Sequence, residues 1–281
     1  MSYKVYTVKE NNAISIRTST DGYQPKFLVE NGKYFVKVQC ELAGTLRDDW
    51  RVEDIASRIC NQLGIYSVHQ KPCRVKIITK TGRVKNRLGV VSDNFERYGT
   101  NFVSFNRLLN IHKYMFNMQE YNKSSNRDKL GMLIKTLRQA TGIPIQTIVR
   151  YFYDMVTVDM LVLNQDRHFK NFGAFYNMRT GRMEIARLFD FGMGLFESDT
   201  IFDDIHLLKD CMRYSYISPF SEDPFVLLQD LLGIESYKRY LNSLNIGSLN
   251  LSSSLFPSKV AYEYYKKMRG EMLNARYIRH Q

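Results

Sequence analysis

The sequence predicts an α+β fold in two lobes, a small β-rich one followed by a larger helical one, on three observations. Alternating apolar and polar residues punctuated by turn signals dominate the first third of the chain. Helical periodicity takes over beyond Asn101. Between two of those helices lies a run, residues 164–204, rich in Asp, Asn, Gly and Phe, that fits neither pattern. A chain of 281 residues has room for two such lobes sharing one cleft, and the boundary is expected between 98 and 99, giving lobes 1–98 and 99–281.

Residues 13–18 alternate as a first strand, and Ser19-Thr20-Asp21-Gly22 signals a turn. Residues 26–30 and 34–39 read as a hairpin around Asn31-Gly32, the dipeptide that suits a two-residue turn. Counting outward pairs Glu30 with Lys33, Leu28 with Phe35 and Lys26 with Lys37. A helix follows over 52–63, with Ile55, Ala56, Ile59, Cys60 and Leu63 on one face and Gly64 ending it. Residues 71–87 hold seven Lys or Arg and no acid, and alternate around Thr81-Gly82 as an exposed hairpin. Residues 88–92 form the last strand of this lobe. Helices are expected over 127–141, 145–163, 225–242 and 259–279.

Composition narrows the function classes. Apolar residues make up 44% of the chain, enough for a packed core. No run approaches the ~18 apolar residues of a membrane span, and residues 1–12 have no signal-peptide core, so a cytoplasmic protein without membrane contact is expected. Cys40, Cys60, Cys73 and Cys211 are scattered without metal-ligand spacing and read as reduced thiols. No two histidines stand three or four apart, which argues against zinc. The net charge of +12 suits either an enzyme that attracts polyphosphate or a nucleic-acid partner, and composition does not choose between them.

The polar run after the helix over 145–163 carries the chemistry. Asp166 and Asn171 stand five apart, the separation of the kinase catalytic loop, where the Asp takes the proton of the attacking hydroxyl and the Asn binds Mg²⁺. Asp190 follows nineteen residues later, after an apolar run and before Phe191-Gly192. A hard cation such as Mg²⁺ favours one or two carboxylates together with phosphate oxygens. At the other end, opposed Lys26 and Lys37 repel each other unless an anion lies between them, and both sit near the Asp21-Gly22 turn where a polyphosphate would lie. Glu53, in the first turn of the following helix, is the natural ion-pair partner for Lys37.

These stretches resemble the HipA-like serine/threonine kinase family. The matching residues are Ser19-Thr20-Asp21-Gly22-Tyr23-Gln24-Pro25-Lys26, Tyr34-Phe35-Val36-Lys37, residues 53–65, and residues 164–171 with Phe189-Asp190. The resemblance implies a protein-kinase-like two-lobed fold that uses ATP and Mg²⁺, with Asp166 as catalytic base and Asn171 and Asp190 as metal ligands. It further implies ATP contacts from Asp21, Gly22, Tyr23, Gln24, Pro25 and Lys26 in a phosphate loop, from Lys37, His168, Lys170 and Asn171, and from Asp93 in a hinge over 92–95. Ser19 occupies the place where family members autophosphorylate. The phosphate loop lies near the start of this chain, as in the short HipT-type toxins and CtkA-type kinases. Leu163 stands where a glycine is common, and the spacing from Asn171 to Asp190 exceeds that of eukaryotic kinases.

The expected function is ATP- and Mg²⁺-dependent phosphorylation of a protein, with a translation-related substrate, a toxin role and an antitoxin partner as extensions of the resemblance. Two alternatives stay open. A lipid or small-molecule kinase shares the Asp-Arg-His-x-x-Asn and Asp-Phe-Gly pattern, and an inactive kinase-like module could use the +12 charge to bind nucleic acid. The complete set of Lys37, Asp166, Asn171 and Asp190 favours an enzyme.

Overall fold

The computed structural model describes residues 3–14, 24–42, 44–94, 99–195, 219–220 and 223–275. The first strand is β1 (Val5–Lys9), with Tyr6 and Val8 buried and their neighbours exposed. It takes the place of the strand expected over 13–18: Ala13 and Ile14 lie outside any strand, and 15–18 lie outside the described residues. Only alternate positions of β1 are buried, so its apolar signal is diluted by the charged residues around it.

Strands β2 (Lys26–Val29) and β3 (Tyr34–Val38) pair in the register counted from the turn, Lys26 opposite Lys37 and Leu28 opposite Phe35. Asn31 and Gly32 have φ of +55° and +80°, and the Lys33 N–H donates to the Glu30 carbonyl at 3.2 Å, which is type I′ geometry. A short ribbon, β4 (Glu41–Leu42) and β5 (Thr45–Leu46), leads into α1 (Asp49–Leu63). This helix begins three residues earlier than expected and ends at left-handed Gly64. The basic hairpin is β6 (Gln70–Ile78) with β7 (Val84–Asp93), and residues 88–92 are the second half of β7 rather than a separate strand.

These strands form a sheet in the order β1-β6-β7-β3-β2, with β1 parallel to β6 and all other pairs antiparallel. One face buries Tyr6, Val8, Phe27, Val36, Val38, Cys73, Val75 and Ile77 as the lobe's own core. The opposite face presents Phe35, Lys37, Gln70, Val90 and Ser92 toward Val68 and Phe189.

The second lobe begins with β8 (Thr100–Ser104) and α2 (Phe105–Ile111), the latter capped by the Ser104 hydroxyl. It continues with α3 (Met118–Lys123), α4 (Asn126–Thr141), α5 (Ile145–Leu161), β9 (Gly173–Asn177), β10 (Arg182–Ile185), α6 (Pro224–Leu232), α7 (Glu235–Ser243) and α8 (Lys259–Ala275). Two expectations are corrected here. The region expected to be loops and helices contains a three-stranded sheet, β10-β9-β8, and its β9–β10 hairpin fills the long interval between Asn171 and Asp190. The helix expected over 225–242 is two helices, because Gly233 closes α6 and Ile234 is extended at φ −94°, ψ 105°. Residues 276–279 of the expected terminal helix, the boundary residues 95–98 and Cys211 lie outside the described residues.

Helix α5 is buried throughout its second half, and Val52, Ile55, Ala56 and Ile59 of α1 join the same core. Helix α1 therefore lies between the lobes, adding apolar residues to this core while packing on β6 and β7, with Glu53 paired to Lys37 of the sheet. Among the described residues no helix is long and apolar enough to cross a membrane.

Candidate active site

After α5 the chain reverses through Leu163, whose φ is +46° and whose side chain is fully buried. Helix α5 thus ends at Leu161, two residues short of expectation. The following loop is tied by its own polar groups. Asn164 Nδ2 donates to Asp159 Oδ1 at 2.9 Å, and the Asp166 N–H donates to Asn164 Oδ1 at 3.3 Å. Asn171 Nδ2 donates to the Asp166 carbonyl at 3.0 Å. This turns Asn171 Oδ1 away from the loop, buried and without a hydrogen-bond partner. The Asp166 carboxylate is half exposed, with His168 Nε2 at 3.9 Å. Burial lifts its pKa above the ordinary carboxylate value; His168 opposes that rise and Asp190 adds to it.

Asp190 is delivered by an apolar segment docked beside the end of α1: the Leu188 N–H donates to the Tyr66 carbonyl at 3.1 Å, and the Val68 N–H to the Leu188 carbonyl at 2.8 Å. Its backbone is left-handed, φ +65°, a conformation Asp tolerates better than most residues. Lys37 Nζ donates to Asp190 Oδ1 at 2.6 Å and also pairs with Glu53 Oε1. The second Glu53 oxygen accepts the Phe191 N–H at 3.2 Å. Burial alone would raise the pKa of Asp190, but Lys37 and Lys26 overcome it and hold the carboxyl well below the usual range. Burial likewise opposes the Lys37 charge, and Asp190 and Glu53 more than compensate, so the ammonium is kept. An ionised carboxylate and an unpartnered amide oxygen, on two segments joined by Arg167, suit Mg²⁺, which takes few protein oxygens and completes its shell with phosphate and water.

The remaining predicted residues divide into three groups. Lys26 is buried and acts electrostatically on Asp190. The Gln24 carboxamide lies over Gly192, where an added Cβ would stand 3.4 Å from its Oε1, and the Pro25 carbonyl accepts the Val38 N–H at 2.9 Å. His168 and Lys170 sit on the catalytic loop, joined by a 3.3 Å bond from the Lys170 N–H to His168 Nδ1. Asp93 is not brought to this cluster. It is exposed, and it lines a groove of about 750 Å³ with Tyr34 and Lys71. Ser19, Asp21, Gly22, Tyr23 and Phe95 lie outside the described residues.

Sequence reasoning missed the clamp beneath the loop. Arg167 is fully buried and forks onto Asp159 through Nε and Nη2, both at 2.9 Å. Its Nη1 donates to the carbonyls of Asn171 at 3.1 Å and Phe189 at 2.6 Å. One guanidinium therefore joins α5, the loop and the Asp190 segment. The Asp-Arg-His run contains the signal, but an ion pair eight residues back along the chain is not legible from spacing alone.

A two-lobed, protein-kinase-like fold, with Lys37 and Glu53 of the first lobe meeting Asp190 of the second, which Arg167 ties to the loop bearing Asp166 and Asn171, defines the class of protein this is. Residues 18–207 match the HipA-like C-terminal domain, and the chain belongs to that family of kinases. The proinflammatory kinase CtkA of Helicobacter pylori is similar in fold, with a TM-score of 0.56 and 19% identity over 90% of this chain and 90% of that one. The HipA of a Shewanella oneidensis MR-1 toxin–antitoxin complex with HipB and operator DNA aligns at a TM-score of 0.41 and 12% identity, over 95% of this chain and 70% of that one. Among curated proteins, none matches this chain.

Proposed function

We propose that this kinase transfers the γ-phosphate of ATP, with Mg²⁺, to a serine or threonine hydroxyl of a protein, in the cleft between lobes 1–98 and 99–281. The observation that carries the reading is the Lys37–Glu53–Asp190 linkage, tied through Arg167 to the loop that leaves Asn171 Oδ1 unpartnered. Asp166 accepts the proton of the substrate hydroxyl, and its half-exposed position leaves it accessible to a bulky partner. Asn171 and Asp190 would hold Mg²⁺, which when bound neutralises charge on the phosphates. Lys37, kept charged by its carboxylates, supplies a fixed positive charge for the phosphate chain. Lys26 extends that positive charge toward the phosphate loop, with Gln24 and Pro25 at the end of the loop.

Labelled ATP and a cell lysate test the reading. The wild-type protein is expected to label protein Ser or Thr, and Asp166→Asn to fold normally while losing at least about a hundredfold in rate, roughly 2.7 kcal/mol. Near-wild-type turnover by Asp166→Asn would remove Asp166 from the mechanism. The same assay, read by mass spectrometry, reports whether Ser19 is autophosphorylated. On family membership, we extend the reading to a toxin neutralised by an antitoxin partner. Induced expression should then arrest growth, and Asp166→Asn should not.

A further inference from the structure

The basic hairpin is not used by the site described above. Its register with β1 sets Thr7 beside Lys76 and Lys9 beside Ile78, and across the hairpin Lys76 faces Asn86 of β7. Helix α1 packs on the near end of this sheet face, where the Gln70 N–H donates to Ser57 Oγ at 2.9 Å. Beyond that point Thr7, Lys9, Arg74, Lys76 and Asn86 are exposed, and exposed Lys80, Arg83 and Lys85 continue around the turn. Among the described residues, none of these six cations has an ion-pair partner. Arg87 is paired with Glu41 at 2.7 Å, and Glu10, which accepts the Lys80 N–H at 3.0 Å, is a single charge against six. Clustered like charges repel in the isolated protein, and a polyanion relieves them.

Strand rise puts Arg74 and Lys76 about 7 Å apart, and roughly 20 Å separates Arg74 from Lys80. A nucleic-acid strand carries one charge every ~3.4 Å of axis, so this row follows about six phosphates. No aromatic residue stands among the exposed residues of the face. It therefore offers unstacked bases no platform and a lipid surface no anchor, which favours a duplex. Thr7 and Asn86 flank Lys76 with a hydroxyl and a carboxamide that make no hydrogen bond among the described residues. Such groups can bond the 2′-hydroxyls lining the wide, shallow minor groove of RNA. We propose that the β1–β6–β7 face binds double-stranded RNA through its phosphates and 2′-hydroxyls, without reading sequence.

Fluorescence anisotropy with a labelled RNA duplex of ~20 base pairs, beside a DNA duplex of the same sequence, tests this. The wild-type protein is expected to prefer RNA by about three- to tenfold. Its affinity should fall on the order of a thousandfold between about 50 and 200 mM salt. Arg74→Gln with Lys76→Gln should weaken RNA binding at least about tenfold at low salt and flatten the log–log salt slope by about two, with an unchanged unfolding midpoint. Thr7→Val with Asn86→Ala should remove the preference for RNA over DNA. Lys123→Gln with Arg127→Gln, at exposed cations of α3 and α4, should change binding little. Wild-type affinity in the Arg74 and Lys76 variant, or an equal loss in the Lys123 and Arg127 variant, would overturn the proposal. So would equal wild-type affinity for the two duplexes, or a preference for RNA that survives the Thr7 and Asn86 changes. A wild-type protein that binds no RNA, whether or not it binds vesicles of phosphatidylserine and phosphatidylcholine, overturns it as well.

Discussion

Leu163 combines two opposed contributions in one residue. Its left-handed backbone costs about 1–2 kcal/mol for a residue with a Cβ, while its side chain is fully buried in the helical core. Replacing a buried leucine by a smaller residue costs about 2–5 kcal/mol, so packing outweighs the backbone strain that a glycine would relieve. Leu163→Gly is therefore expected to destabilise the protein by about 2 kcal/mol in urea unfolding. A more stable variant would show that the backbone term dominates. The opposed lysines need the same weighing. The sequence pairs Lys26 across from Lys37, and the folded protein sets Glu53 and Asp190 against Lys37, with Lys26 acting on Asp190. Lys26 then offsets buried negative charge. Lys26→Met should lower the stability of the nucleotide-free protein by on the order of 1 kcal/mol, where mutual repulsion alone would raise it. Thermal unfolding without nucleotide gives the sign.

At the level of elements, the Arg167 clamp holds the end of α5, the catalytic loop and the Asp190 segment as one unit. Removing one partner of a buried pair leaves an uncompensated charge and costs about 3–5 kcal/mol. Arg167→Met should fall in that range, and adding Asp159→Leu should recover part of the loss, because the stranded carboxylate goes with it. A double variant worse than the single one would mean that Arg167 acts through the two carbonyls rather than through Asp159. The elements that sequence made legible are those governed by local chemistry. Asn31-Gly32 fixed the β2–β3 register, Gly64 ended α1, and the apolar spacing of α4 and α5 set their faces. What stayed hidden depends on partners distant in the chain. Strand β8 needs β9, which lies inside a polar run, and β1 buries only two residues even when paired with β6, about seventy residues further along the chain. At the site, the five-residue spacing of Asp166 and Asn171 could be read directly. The Arg167 clamp could not, because its carboxylate partner lies eight residues back on α5 and its other partners are backbone carbonyls brought together only by folding.

Across the whole molecule, Lys37 is the tie between lobes, joining the sheet to α1 through Glu53 and to the catalytic segment through Asp190. This linkage should be lost in acid. The folded Asp190 carboxyl is held below the usual range, since the neighbouring Lys37 and Lys26 overcome the burial that would raise it. In the unfolded chain it titrates near about 4. A group with a depressed native pKa contributes stability that is complete above the unfolded value and is lost as pH falls toward the folded one. Total acid stability is a poor readout, because burial shifts Asp49, Asp54, Asp154 and Asp159 upward and gives them the opposite dependence. Subtracting a variant removes the contributions common to both proteins and leaves Asp190 with its coupling to Asp166. The difference in unfolding free energy between wild type and Asp190→Asn should be flat from pH 8 to about 5 and shrink below about 4. Urea unfolding of both proteins across that range measures it. A difference that persists undiminished to pH 3 would mean that Asp190 does not draw its stability from its charge, and that the two lobes are held together by packing around α1.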